Sequence, residues 1–327
     1  MKTGLRERLN DGIVLGDGGY LLELERRGYV RAGPFTPEVS ITHPDALTQL
    51  HREFLAAGAD VLQALTFYAS EDKLATVGLE GRVDDINREA MRIARAVAAE
   101  GEALVALTLS MTWDFDPGDQ ATSDRIREMF NRQIEVALDA GIDLIVAETF
   151  TWLGEALIAL ECAKAAGVPV ITTVSFEKEP VTHDGYGPRE CAQRLADAGS
   201  DVVGINCMQD PTGMLPRMQE MRDAVDTPLA CQPLAYYTGD VAHFTALGEF
   251  PFALDPRQLT RHAMGDYALK ARDMGIGYIG SCCGSVAAHV RAMARALGKL
   301  PDDEGEWKRM RDKPMSAFEA HGHTELV

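Results

Sequence analysis

Apolar residues along this chain come in short unbroken runs, and five of those runs share one preface. "AAGADVLQALTF" at 56–67, "DAGIDLIVAETF" at 139–150, "AAGVPVITTVSF" at 165–176, "DAGSDVVGINCM" at 197–208 and "DMGIGYIGSCCG" at 273–284 each place a glycine at the end of a helical pattern. Glycine supplies the left-handed residue that closes a helix, and the four to seven apolar residues after it read as a strand buried on both faces. Three further runs, at 12–19, 102–110 and 227–235, look like strands without the full preface. Amphipathic stretches such as "HPDALTQLHREFLAAG", "INREAMRIARAVAAEG" and "IREMFNRQIEVALDAG" separate them. Strands buried on both faces that alternate with helices make a parallel sheet. Eight such units predict a closed (β/α)8 barrel, a single domain over 1–300 followed by a short polar tail at 301–327. A doubly wound open sheet is the alternative. The first strand is followed by "GDGGYLLELERRG", which lacks the G-x-G-x-x-G spacing of a dinucleotide site.

Charge narrows the partners. A formal net charge of −18 over 327 residues argues against nucleic acid or an anionic membrane surface. The N-terminal "MKTGLRERLNDG" has no apolar core of a secretory signal, and no apolar run is long enough to span a bilayer. Six cysteines in so long a chain read as reduced thiols in a cytoplasmic protein.

A barrel carries its active site at the C-terminal ends of its strands. Reading off those ends gives Asp17, Thr66 to Tyr68, Ser110, Glu148, Ser175, Asn206, Cys207, Gln232, Cys282 and Cys283. The segments after strands 1, 6 and 7 read as the longest, suited to cover a substrate. Cys162, Cys191 and Cys231 fall in helices or within a strand and read as core fillers. Adjacent Cys282 and Cys283 cannot form an unstrained disulfide with each other. Together with Cys207 they predict a Zn²⁺ site of three thiolates and one open position, the signature of a catalytic ion. Gly280 and Gly284 allow the sharp turn that brings neighbouring side chains to one point. So sulfur-rich an ion is a poor activator of water but a good holder of a substrate thiolate, which predicts alkyl transfer from an onium donor to a thiol. Asp17 and Glu148 are lone carboxylates on buried strands, and a substrate ammonium would pair them. Alternatively Asp17 is a turn residue, Glu148 part of an internal salt bridge, or the two an acid/base pair for sugar chemistry.

The stretches "GDGGYLLELERRGYVRAGPFTPE", "LHREFLAAGADVLQALTFYASEDKL", "VGINCMQDPT", "CQPLAYYT", "EFPFALDPR" and "YIGSCCG" run in unbroken order from Gly16 to Gly284. In them the chain resembles the homocysteine S-methyltransferases, and is most similar to the betaine–homocysteine branch. The resemblance implies a zinc-dependent (β/α)8 barrel with Cys207, Cys282 and Cys283 as ligands, and homocysteine held through its amino group by Asp17 and Glu148. It implies an onium donor among aromatic residues, where Phe35 stands for a tryptophan, Tyr68 is kept, and Thr149 replaces a tyrosine. That places homocysteine as acceptor on firmer ground than glycine betaine as donor, and leaves a sulfonium betaine or S-methylmethionine open. "GSCCG" has Ser281 where the family has glycine. A homo-oligomer is compatible with the resemblance. Two readings of another class are a redox protein acting through the Cys282–Cys283 pair, and a zinc-binding barrel that docks a partner without methyl transfer.

Overall fold

In the computed structural model, which describes residues 3–31, 36–239, 241 and 244–301, all eight expected strands form. They are β1 Val14–Leu15, β2 Val61–Gln63, β3 Leu104–Ser110, β4 Leu144–Phe150, β5 Val170–Val174, β6 Val202–Asn206, β7 Leu229–Gln232 and β8 Tyr278–Ile279. Every pairing is parallel, and the order β1-β8-β7-β6-β5-β4-β3-β2 leaves only β1 and β2 without a regular ladder. Side chains and single bonds close that seam. Asp60 N–H donates to the Leu15 carbonyl at 2.8 Å, and Leu15 N–H donates to Asp60 Oδ2 at 2.7 Å. Higher up, Gln63 N–H donates to Asp17 Oδ2 at 2.7 Å. The sheet is therefore a nearly closed (β/α)8 barrel, and the open-sheet alternative is excluded.

The five glycine stops are where the pattern put them. Gly58, Gly141, Gly167, Gly199 and Gly275 have φ of 96°, 81°, 73°, 89° and 76°, a region that side chains enter only with strain. The predicted amphipathic segments are the helices Pro44–Ala56, Val83–Ala98 and Gln120–Ala140. In Val83–Ala98 the buried residues Ile86, Ala90, Ile93 and Val97 recur at three and four positions, the stripe a helix needs to lie on the sheet. Inside the barrel, Val61, Leu104, Val146, Val202 and Tyr278 fill the lumen, with Leu5 of the helix Leu5–Asp11 in the same cluster.

The segment after β6 is short, contrary to expectation. The helix Pro211–Arg222 starts almost at once, because Asp210 caps it by accepting from Thr212 and Gly213 N–H and Pro211 occupies its first turn. The chain between β7 and the helix Arg261–Asp273 is long, as is the one between β1 and Pro44–Ala56. Among the described residues no helix is long and apolar enough to cross a membrane. Residues 302–327, most of the expected tail, lie outside the described residues.

Candidate metal and substrate site

Cys207 is the first residue past β6, and Cys282 and Cys283 follow β8 by two residues. Their Sγ atoms all lie within 4.8 Å of one another, with 4.0 Å between those of Cys282 and Cys283. Backbone bonds fix this geometry. Cys207 N–H donates to the Gln232 carbonyl, Cys282 N–H to that of Pro233, and Ala235 N–H to that of Cys283. The end of β7 thus acts as a shared brace for both thiol-bearing segments. Gly284 turns the chain away at φ 81°, where any Cβ would collide with the Tyr236 ring. Ser281 Oγ lies 2.6 Å from Ser285 Oγ, a hydroxyl that can donate to it, and 3.3 Å from the Asp17 carbonyl, to which it donates, tying β8's end to β1's.

All six cysteines are free. Cys162, Cys191 and Cys231 are buried away from the cluster, as expected of fillers. Hydrogen bonds among the three clustered thiols act in both directions on each, and with burial and mutual repulsion the net effect is to hold all three well above the ordinary thiol range. Sulfurs on a tetrahedral zinc with bonds of about 2.3 Å stand about 3.8 Å apart. The spacing and the donor type therefore fit a zinc ion held by three thiolates.

The two carboxylates sit at neighbouring depth. Asp17, 1% exposed, accepts from the Tyr20 hydroxyl, from Gln63 N–H, and from Gln63 Nε2 at 3.3 Å. The Tyr20 hydroxyl has one proton and gives it to Asp17, so the His51 Nδ1 at 3.0 Å must be the protonated nitrogen and donate to Tyr20. Burial lowers the pKa of His51 to about 3, keeping that ring neutral. The chain His51→Tyr20→Asp17 thus supplies one donor to a carboxylate that receives two more from Gln63. Glu148, 8% exposed, accepts from Asn206 Nδ2 at 2.8 Å. Burial raises Asp17 to about 7, and burial plus the charge of Asp17 raises Glu148 to about 8. Among the described residues neither pairs with a cation, which removes the internal salt bridge considered for Glu148. Asp17 does have a local structural task, since it closes the β1–β2 seam.

Backbone strain marks the same rim. Tyr68, Thr149, Cys207 and Met208 all have positive φ, at 58°, 67°, 59° and 62°. Left-handed conformations at non-glycine residues cost about 1–3 kcal/mol each and persist where the surroundings enforce them. At Thr149 the enforcer is Asn206, and at Tyr68 it is Ser110, whose Oγ accepts from Tyr68 N–H at 3.1 Å. Asn206 Oδ1 accepts from Thr149 N–H and from Thr173 Oγ1, while its Nδ2 donates to Glu148 Oε2 and to Thr149 Oγ1. One amide on β6 thereby positions two residues of β4. Tyr68 is buried; its ring stacks on Phe67 with centroids 4.3 Å apart. Burial and the charges of Cys207 and Cys283 raise its phenol above the ordinary range. Phe35 lies outside the described residues.

Reading the strand ends missed the supports. Tyr20 and His51 come from two different helical segments, and Lys73 and Trp113 from segments beyond β2 and β3. Only Tyr20, three residues after Asp17, carried a usable signal.

The homocysteine S-methyltransferase family model matches residues 14–297. Betaine–homocysteine S-methyltransferase 1 of Bos taurus is 43% identical over 328 residues, covering 94% of this chain and 79% of its own. S-methylmethionine–homocysteine S-methyltransferase BHMT2 of Pongo abelii is 40% identical over 322 residues, covering 94% and 86%. The metallated homocysteine methyltransferase MmuM of Escherichia coli superposes with a TM-score of 0.69 at 22% identity, over 89% of this chain and 99% of its own, and so shares the fold.

Proposed function

The chain belongs to the homocysteine S-methyltransferase family, and we propose that it is a zinc-dependent enzyme that moves a methyl group from an onium donor to the thiol of homocysteine, giving methionine. The observation that carries this reading is the three-thiol cluster beside two buried carboxylates that lack a cation. Cys207, Cys282 and Cys283 would hold Zn²⁺, which supplies one thing: it keeps the homocysteine sulfur ionised at neutral pH, where a free thiol of pKa about 8.5 is only a few per cent thiolate. Asp17 and Glu148 receive the substrate ammonium and so fix the direction of the amino acid. Tyr20 and Gln63 hold Asp17, and Asn206 holds Glu148. The S–CH₃ bond forms as the methyl–onium bond breaks. The onium's bonding electrons leave with a neutral amine or sulfide, and the thiol proton goes to solvent. Reduced cysteines fit a cytoplasmic setting. Methionine formation from homocysteine with a panel of ammonium and sulfonium donors tests the reading; no methionine with any of them would sink it.

The donor pocket yields the next prediction. Thr149 puts a small hydroxyl where the resemblance implies a phenol, and Phe35 offers a weaker cation site than tryptophan, each lost contact being worth roughly 0.5–2 kcal/mol. Glycine betaine is therefore not the best donor, and Thr149→Tyr with Phe35→Trp shifts preference toward it. A native protein that already prefers glycine betaine, with no relative gain in the double variant, would refute this.

The raised carboxylates predict a pH dependence. In the ligand-free protein Asp17 and Glu148 must lose protons near pH 7 and 8 before they can receive an ammonium. Affinity for an amino-acid ligand should thus rise with pH up to about 8, roughly tenfold per unit between pH 7 and 8 and toward about a hundredfold per unit below 7, where both carboxyls are protonated. Methionine, which has no thiol to ionise, isolates the effect. It should raise the melting temperature much more at pH 8.5 than at pH 6, and equal shifts at both would count against the role. Without ligand the sign is opposite. Folded-state values above the unfolded 3.8 and 4.5 stabilise fully at lower pH, and that contribution fades as pH rises to about 7 and 8.

A further inference from the structure

Beside the Tyr68 ring lies a cation for which the reaction as proposed has no use. Lys73, on the helix Glu71–Ala75, is fully buried, and among the described residues its Nζ has no hydrogen-bond partner. It stands 3.4 Å from the Trp113 ring centroid and 4.4 Å from that of Tyr68. The nearby acids do not satisfy it. Asp72 is engaged on both oxygens, by the Ser70 hydroxyl and by Trp113 N–H. Glu155 accepts through Oε1 from Thr112 N–H and hydroxyl, and its Oε2 is buried without a partner. Burial lowers the pKa of Lys73 to about 7 against the pull of Asp72, Glu155 and Asp114. A desolvated ammonium held only by two ring faces is costly, and a carboxylate guest would offset that cost.

Tyr68 places this ammonium at the rim that carries the thiols: it follows the end of β2 with a left-handed φ, as Cys207 follows the end of β6, and its ring carries Lys73. We propose that Lys73 is the binding residue for a carboxylate on the methyl donor, so that the pocket selects zwitterionic oniums over oniums of similar size without an acid group. This rests on the transfer reading above and adds to it the donor's second charge. Trp113, 56% exposed, is the cover over the ammonium and the side chain nearest to solvent. The arrangement also explains why an aromatic pair already facing a fixed cation serves a cationic donor. With its carboxylate on Lys73, the donor presents its onium end beyond the ring, and the two positive charges are separated by the negative one.

The test is calorimetric titration of the zinc-loaded protein with glycine betaine and dimethylsulfonioacetate, against tetramethylammonium and trimethylsulfonium. A charge-assisted contact is worth roughly ten- to hundredfold in affinity. The native protein should prefer the zwitterions by that factor. Lys73→Met should bring the preference close to one while leaving homocysteine binding and zinc content unchanged, and Lys73→Arg should keep part of it. Equal binding of both classes by the native protein overturns the inference. So does a preference that survives in Lys73→Met, or an equal loss for both classes, the mark of a fastener for Tyr68 and Trp113. If Lys73→Met does not fold, the native ratio and the Lys73→Arg ratio decide the same question. Because binding is read without turnover, a failure of methyl transfer stays distinguishable from a failure of Lys73.

Discussion

Replacing any one of Cys207, Cys282 or Cys283 by alanine is expected to cut bound zinc well below one per chain and to reduce methionine formation to background. Two thiolates hold the ion less tightly than three, and the sulfurs lie on two segments braced by the end of β7. Removing Cys207 detaches the β6 side, and removing Cys282 or Cys283 detaches the β8 side. Cys231→Ala is the control. That thiol is more deeply buried than those of Cys282 and Cys283 but stands on β7 away from the cluster, so its loss should lower the melting temperature and leave zinc in place. Metal analysis of the purified variants beside a methionine assay reads both effects. Full stoichiometric zinc in the triple alanine variant would show that the ion, if present, is held elsewhere.

The barrel was legible because one local device repeats. A helix that must stop before a buried strand needs a left-handed residue, and glycine at 58, 141, 167, 199 and 275 announces it each time. The thiol cluster was legible for a related reason: in a barrel, strand ends are a spatial ring, so strand-end residues far apart in sequence become neighbours. What could not be read is whatever depends on a partner with no rule of spacing. The His51→Tyr20→Asp17 chain joins residues 31 and 3 positions apart through helix packing. Nothing in "SEDKL" announces that the Lys73 ammonium lies against the rings of Trp113 and Tyr68, which come from different segments. The length of the β6 segment was misjudged, since Asp210 caps and Pro211 opens a helix only a few residues past the strand. Asp17 was weighed as either a turn residue or a ligand, and the structure adds a third part, the barrel seam, that sequence alone gives no hint of.

That third part decides which carboxylate gives the cleaner test of substrate recognition. In Asp17 one oxygen, Oδ2, accepts from both the Tyr20 hydroxyl and Gln63 N–H while Oδ1 accepts from Gln63 Nε2, so Asp17→Asn must turn an amide toward one of these donors and disturbs the seam and the ligand contact together. Glu148 carries no such burden, since its one protein bond is from Asn206 Nδ2, and Gln at 148 still offers an oxygen there. Glu148→Gln is therefore expected to fold and to keep its zinc while binding homocysteine roughly ten- to hundredfold more weakly, the worth of one charge-assisted hydrogen bond. The substitution leaves one carboxylate to titrate, Asp17, raised by burial to about 7, instead of two. The pH dependence of methionine binding should then become shallower and move to lower pH. A simple loss of packing would not produce that shift. Titration of native and Glu148→Gln proteins with homocysteine, and with methionine across pH 6 to 8.5, separates the cases. Unchanged homocysteine affinity in the variant would rule out Glu148 as an ammonium ligand and leave its burial at the end of β4 without a function.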